Sequence, residues 1–76
     1  MNDQILNVMS NTLGLQPDKI PDDASIENLT EWDSLKHLEL MLDIESEFKL
    51  KIPLEDMVNL TTLELIKSYI QENISH

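Results

Sequence analysis

The chain has 76 residues, with fifteen acidic residues against five lysines, no arginine and a formal net charge of −10 at pH 7. This length allows one small domain, residues 1–76, with a modest hydrophobic core. The lack of cysteine excludes disulfides, a thiolate nucleophile and a Cys-ligated zinc site. The charge argues against nucleic acid as a partner, because phosphate backbones are bound through lysine and arginine.

The N-terminus has no basic region followed by an apolar stretch, and no apolar run approaches the roughly 20 residues of a membrane span. We therefore expect a cytoplasmic, monomeric protein with no membrane span. The hydrophobic content of 41% and the helical spacing of apolar residues predict that the chain folds. The acidic surface favours partner proteins that present basic patches.

The first predicted helix lies near the N-terminus. Its apolar residues recur at spacings of three and four: Ile5, Leu6, Met9 and Leu13. Asn2 or Asp3 is a suitable N-cap, and Gly14, the only glycine, is placed to end the helix.

A long loop is predicted over residues 15–33, where Pro17 and Pro21 interrupt the helical periodicity. A loop of this length is unusual in so small a domain unless it is functional. Four apolar residues are expected to anchor it: Ile20, Ile26, Leu29 and Trp32.

The second predicted helix spans residues 34–48, about 22 Å at 1.5 Å per residue, with Asp33 as its N-cap. The residues at helical spacing along its expected inner face are Leu35, Leu38, Met41, Leu42, Glu45 and Phe48. This helix is the expected spine of the fold.

A short third helix is predicted over residues 54–59. Pro53 suits its first turn, and Met57 and Leu60 are expected to face inward. The last helix is predicted to begin at a capping box, with Thr61 bonding forward and Glu64 bonding back. Its apolar stripe consists of Leu63, Ile66, Ile70 and Ile74.

No strand pattern competes, because the short run at residues 50–52 ends at a proline. The predicted fold class is therefore all-α. It is a small four-helix bundle of three long helices and one short third helix, with a long loop between helices one and two.

The candidate site is Asp33-Ser34-Leu35, which places a hydroxyl in the first turn of the second helix, just after the long loop. Unpaired backbone N–H groups and the positive end of the helix dipole favour an anion there, either free or esterified to the serine. The same residues are also typical of an ordinary capped helix start.

Catalysis by Ser34 with His37 is not expected, although the two share a helix face. A nucleophile needs a base within reach, a group that orients the base, an oxyanion hole and a cleft, and a small bundle supplies none of these evidently. We interpret His37 either as a surface residue or as a charge-tuning residue that, with Lys36, modifies the docking face. The acidic pairs Asp22-Asp23 and Glu55-Asp56 lack ordered ligand spacing, so no metal site is predicted.

The segment EWDSLKHLEL at residues 31–40 resembles the acyl carrier protein family. Further landmarks follow at family-like spacing: Glu45-Ser46-Glu47-Phe48, Ile52-Pro53, Leu60-Thr61-Thr62-Leu63 and Tyr69-Ile70. The resemblance covers nearly the whole chain and agrees with its size, acidity and long first loop.

The resemblance implies that Ser34 is the attachment point for 4′-phosphopantetheine, transferred from coenzyme A by a separate phosphopantetheinyl transferase. It implies that Asp33 belongs to the motif that the transferase reads and that Leu35 anchors the helix start. The thiol of the arm would carry an acyl group as a thioester, so the protein is a carrier and not an enzyme.

The resemblance also makes the second helix the main docking surface for acyl-transferring or synthase enzymes. The docking residues expected here are Lys36, His37, Glu39, Leu40, Asp43, Glu45 and Glu47. Lys36 stands where carriers of the fatty-acid type have an acidic residue, and Ser46 interrupts the acidic run. Trp32 before the motif looks more like carriers of specialised pathways.

Three functions remain open from the sequence. The first is an acyl carrier for fatty acid or specialised, polyketide-like biosynthesis. The second is a peptidyl or aminoacyl carrier. The third is an unmodified acidic interaction module, which would be indifferent to Ser34→Ala, whereas a carrier would lose its function.

Overall fold

The structure is a computed structural model that describes residues 2–74, with side chains for residues 4–73. Within these residues the chain forms α1 (Asn2–Leu13), α2 (Ser34–Phe48), α3 (Leu54–Met57) and α4 (Leu63–Ile74), with a 3₁₀ turn at Pro17–Lys19. The described part has no strand, and an isolated bridge pairs Ser25 with Thr62. The prediction of an all-α bundle with a long first loop is confirmed. None of these helices is long and apolar enough to cross a bilayer.

Helix α1 ends where the sequence predicts. Gly14 adopts a left-handed φ of 73°, which glycine tolerates without a side-chain penalty. The backbone N–H groups of Gly14 and Leu15 both donate to the Ser10 carbonyl, at 2.9 and 3.1 Å. The predicted cap at Asn2 or Asp3 lies outside the described side chains.

The core lies between α1, α2 and α4, and the long loop closes one side of it. Its buried apolar residues are Ile5, Val8, Met9, Leu13, Ile20, Ala24, Trp32, Leu40, Met41, Ile44, Ile52, Leu60, Leu63, Ile66 and Ile70. Three stretches of helix therefore share one core, and the loop contributes the largest side chain, that of Trp32.

The buried face of α2 differs from the predicted one. Leu40, Met41 and Ile44 are buried, whereas three residues of the predicted face are exposed: Leu35 (67%), Leu38 (49%) and Leu42 (53%). Helix α2 carries apolar residues on two flanks, so periodicity alone could not choose between them. The hydroxyl of Thr12 on α1 donates to Asp43 Oδ2 at 2.5 Å and turns the Leu40 flank toward α1.

The long loop is anchored as predicted. Ile20 and Trp32 are buried, and Ile26 and Leu29 pack partly buried against the core. The Ile26 N–H donates to the Thr61 carbonyl at 3.0 Å, which holds the loop against the segment before α4.

Helix α3 is shorter than predicted and ends at Met57. The chain then continues with tighter turns, in which Asn59 N–H donates to the Asp56 carbonyl and Leu60 N–H to the Met57 carbonyl. These turns bring Leu60 into the core and leave Met57 partly buried, so both predicted inward positions are confirmed.

The predicted capping box of α4 is wrong by one residue. Thr62 is the cap, because its Oγ1 accepts from Leu65 N–H at 3.1 Å. The Thr62 carbonyl also accepts the first helical bond, from Ile66 N–H at 3.1 Å, whereas the Thr61 carbonyl accepts from Ile26 N–H of the long loop. Glu64 is exposed in the first turn of the helix.

Candidate functional site

Ser34 is the first residue of α2 and its side chain is exposed. Asp33 precedes it with extended backbone, and the Asp33 carboxylate accepts from Lys36 N–H at 2.8 Å. The Asp33 carbonyl accepts from His37 N–H, also at 2.8 Å. The predicted N-cap is confirmed, and it fixes the Ser34 hydroxyl at the edge of the first helical turn.

The start of α2 suits a phosphate ester on Ser34. The backbone N–H groups of Ser34 and Leu35 have no acceptor within the described residues, since the first N–H groups of a helix lack intrahelical partners. Together with the positive end of a 15-residue helix they favour negative charge beside the hydroxyl. Lys36 adds a positive side chain in the same turn.

A mostly apolar cavity of about 340 Å³ opens beside Ser34, within the range of about 300 to 1,000 Å³ that is usual for small-molecule pockets. Its lining residues are Ile26, Ser34, His37, Leu38, Met41, Leu54, Met57, Val58 and Thr61. The cavity therefore lies between α2 and α3, with the long loop contributing one wall.

His37 is more enclosed than the sequence suggests. It is half-buried rather than a surface residue, and its Nδ1 accepts from the indole N–H of the buried Trp32 at 3.1 Å. Its Nε2 lies 2.7 Å from the Met57 carbonyl oxygen. The prediction that His37 tunes charge on the docking face stays a prediction, and the structure adds that both ring nitrogens are engaged inside the protein.

A second side-chain contact holds α3 from the opposite direction. The Tyr69 hydroxyl on α4 donates to Asp56 Oδ2 at 3.1 Å. Burial raises the pKa of Tyr69 above its usual value, and the hydrogen bond and negative charge of Asp56 raise it further, with a smaller contribution from Glu45.

Several predicted docking residues on α2 are buried or form hydrogen bonds within the protein. Leu40 is fully buried, so its assignment to the docking surface is wrong. Glu45 is half-buried, and its Oε2 accepts from Ile52 N–H at 2.7 Å, which makes it a bond across the α2–α3 connection. Asp43 is exposed but accepts from Thr12.

The remaining predicted docking residues lie on the outer surface. Lys36 forms an ion pair with Glu39 at 3.5 Å, and both side chains are largely accessible. Glu47 is exposed near the end of the helix. Among the side chains that the structure describes, no group of three carboxylates or histidines could hold a metal ion.

Sequence reasoning missed an exposed apolar surface around Ser34. Leu38, Leu54 and Val58 line the cavity beside Ser34, and Leu35 follows Ser34 directly. Leu42 lies farther along α2, and the exposed fractions of all five residues run from 49% to 72%. Leu35 in particular does not anchor the helix start by burial. The available signal was the number of leucines on α2, which exceeds what one buried face can take.

Comparison with known proteins identifies the family. The family model described as a phosphopantetheine attachment site matches residues 3–70. The acyl carrier protein of Bdellovibrio bacteriovorus is 35% identical over 69 residues, covering 91% of this chain and 88% of that protein. The non-reducing polyketide synthase AC of Didymella fabae is 35% identical over 66 residues, covering 87% of this chain but 2% of the synthase.

These matches agree with the helical bundle and with the exposed serine at the start of α2. Proteins of this family are carriers rather than catalysts, and their prosthetic group is a covalently attached 4′-phosphopantetheine. The chain belongs to the acyl carrier protein family.

Proposed function

We propose that the protein carries acyl intermediates on a 4′-phosphopantetheine arm attached to Ser34, in fatty acid or polyketide-like biosynthesis. The observation that supports this most is the position of Ser34, which is exposed at the start of α2 and borders the apolar cavity. A phosphopantetheinyl transferase would install the arm, and cytoplasmic synthase enzymes would act on the cargo of the monomeric carrier.

The residues around Ser34 have separable roles in this proposal. The arm supplies a terminal thiol that holds the acyl group as a thioester. Asp33 holds the first turn in place through Lys36 N–H. The N–H groups of Ser34 and Leu35 offset the negative charge of a phosphodiester. The protein therefore orients the arm and contributes no acid or base.

The cavity favours acyl over aminoacyl cargo. Its lining is mostly apolar, and it contains no carboxylate. Moving an alkyl chain out of water into an apolar cavity lowers the free energy by about 0.8 kcal/mol for each buried methylene. The ammonium group of an aminoacyl cargo would instead lose its hydration without a negative partner in the cavity.

Docking on α2 is proposed to combine charge with apolar contact. Glu39, Asp43 and Glu47 are exposed and can face basic patches of partner enzymes. Two of the three already have internal partners, Lys36 for Glu39 and Thr12 for Asp43. Leu35 and Leu38 are exposed close to Ser34, so they are proposed to contact an enzyme that takes the arm.

The attachment site is tested by the intact mass of the protein after incubation with coenzyme A and a broad-specificity phosphopantetheinyl transferase. We expect the parent to gain one phosphopantetheine and Ser34→Ala to gain none. Ser46→Ala is the matched control, because Ser46 is also an exposed serine on α2, and it should gain the group like the parent.

If Ser34→Ala also gains a phosphopantetheine, the arm is attached to a residue other than Ser34. A parent that several transferases leave unmodified would favour the unmodified acidic interaction module. The melting temperatures of the protein loaded with octanoyl- and with aminoacyl-pantetheine arms then separate the two carrier types. An acyl carrier should be stabilised by the octanoyl arm and not by the aminoacyl arm, since only a sheltered cargo should raise the melting temperature.

A further inference from the structure

Helix α3 is attached to the rest of the bundle by few side chains. None of its four residues is fully buried, and Leu54 is 72% exposed. Among side chains of residues 4–73, hydrogen bonds from His37 to Met57 and from Tyr69 to Asp56 tie it to α2 and α4. Besides the partial burial of Met57, these two polar contacts hold the helix in position.

The two bonds of His37 run in opposite directions. An indole N–H can only donate, so Nδ1 of His37 has to be an acceptor toward Trp32. A carbonyl can only accept, so Nε2 carries the proton and donates to Met57. Through these two bonds the ring joins three separate segments: the loop before α2, α2 itself and α3.

These segments enclose the cavity beside Ser34. His37 and Met57 both line it, on opposite sides of the gap between α2 and α3. Trp32 lies behind His37, with ring centroids 5.9 Å apart and only 1% of its surface exposed. Loss of the His37 ring would leave the buried indole N–H without its acceptor and would release the Met57 side of the cavity.

We propose that His37 is a positioning residue that clasps α3 to α2 and to Trp32, and so holds the two walls of the cavity together around the acyl chain carried on Ser34. The proposal rests on the proposed function, because it assumes that an acyl chain enters this cavity. It gives His37 no part in thioester chemistry.

Three variants separate the clasp from general stability. His37→Leu keeps the bulk but removes both hydrogen bonds, and His37→Gln restores one acceptor and one donor on a side chain of similar reach. Thr12→Val is the matched control, because it removes a hydrogen bond between α1 and α2, away from the cavity. If His37→Leu does not fold, His37→Asn replaces it, since its shorter amide cannot bridge both partners.

The first measurement is hydrogen exchange of the single indole N–H in the unloaded protein, followed by NMR. We expect His37→Leu to accelerate this exchange about fivefold, as loss of one net hydrogen bond predicts. His37→Gln should return it toward the parent rate, and Thr12→Val should leave it unchanged. Unchanged exchange in His37→Leu would overturn the clasp.

The second measurement is thioester cleavage by hydroxylamine in acetyl-, octanoyl- and dodecanoyl-loaded protein. In the parent, long chains should be cleaved more slowly than acetyl. In His37→Leu the cleavage of octanoyl thioester should become about fivefold faster, so that most of the chain-length protection is lost. The cleavage of acetyl thioester should be unchanged. Equal protection in His37→Leu and the parent, or equal loss in Thr12→Val, would contradict the proposal.

The proposed function and the clasp can fail separately. If Ser34 is not loaded, the carrier function fails, while indole exchange still decides whether His37 acts as a clasp. If Ser34 is loaded but the parent shows no chain-length protection, the protein is a carrier without a shelter and the role proposed for His37 is wrong.

Discussion

The two sides of α2 are built in opposite ways. Toward α1 it buries Leu40 and Ile44 completely or nearly so, and Thr12 binds Asp43 across the contact. Toward α3 it leaves Leu38 and its neighbours half exposed around a cavity. The first side resembles any small helical core, whereas the second keeps apolar surface in water.

The difference shows where stability and function are located. Burial of apolar area is the main source of folding free energy, so exposed leucines are a loss unless something covers them. Exposed apolar residues that gather around a cavity are typical of an interaction site. Leu35 and Leu38 are exposed close to Ser34, where both the acyl chain and the partner enzymes are proposed to bind.

The largest effect is expected for a substitution on the side of α2 that faces α1. Ile44→Ala should lower the free energy of unfolding by about 2 to 5 kcal/mol, because it leaves a cavity in a closed core. Leu42→Ala, on the exposed flank, should change it by less than about 1 kcal/mol. Urea denaturation measures both, and similar losses in the two variants would contradict the assignment of the buried face.

The next largest effect is expected on the side of α2 that faces α3. Leu38→Gln should lower kcat/KM of the transferase reaction about fivefold, since it removes an apolar contact near Ser34. Leu65→Gln is the matched control, because Leu65 on α4 is 47% exposed against 49% for Leu38, and it should leave the rate unchanged. An effect of equal size in both variants would remove Leu38 from the docking surface.

Charge on the same helix should matter less. Glu39→Gln is expected to lower kcat/KM only about twofold, because an exposed ion pair contributes little and is screened by salt. The Lys36 partner of Glu39 already offsets part of its charge. Measuring the rate over a range of salt concentrations checks this, and a loss larger than that of Leu38→Gln would show that docking is governed by charge.

The smallest effect is expected at high pH, at the tie between α3 and α4. The pKa of Tyr69 is raised in the folded protein, so the folded state holds the phenolic proton longer than the unfolded state. The contribution of Tyr69 to the free energy of unfolding should therefore be fully present and independent of pH below its ordinary pKa of 10.0, and it should be lost as pH rises through the raised pKa. Tyrosinate absorbance follows this single tyrosine directly.

Tyr69→Phe is the control for that titration. It removes the hydroxyl that donates to Asp56, so its stability should decrease less between neutral and alkaline pH than that of the parent. Identical pH profiles would show that the bond to Asp56 does not contribute to folding.

Much of the fold could be predicted because its signals are local. Gly14 ends α1 through its left-handed backbone, and Asp33 begins α2 by accepting from the first-turn N–H of Lys36. Both depend on residues within one turn of the boundary. The cap of α4 was misplaced by one residue, because pairing of Thr61 with Ile26 comes from a distant part of the chain.

The candidate site divides in the same way. The motif around Ser34 could be recognised from neighbouring residues, and the structure places the hydroxyl where the motif predicts it. Leu40 and Glu45 were assigned to the docking surface because they lie on the right helix, yet one is in the core and the other binds Ile52. Periodicity could not show this, since it gives relative angles on a helix and not the direction of its neighbours.

The sequence by itself determined the helical class, the ends of the principal helices, the acidic surface and the exposed serine at a helix start. Each of these depends on the intrinsic properties of residues close together in the chain. The tertiary structure alone decided which flank of α2 is buried, and how His37, which bonds the nearby Trp32, also reaches Met57 across 20 residues of sequence. Such contacts arise only when separate segments pack together, because the partners are determined by their positions in three dimensions and not by their distance along the sequence.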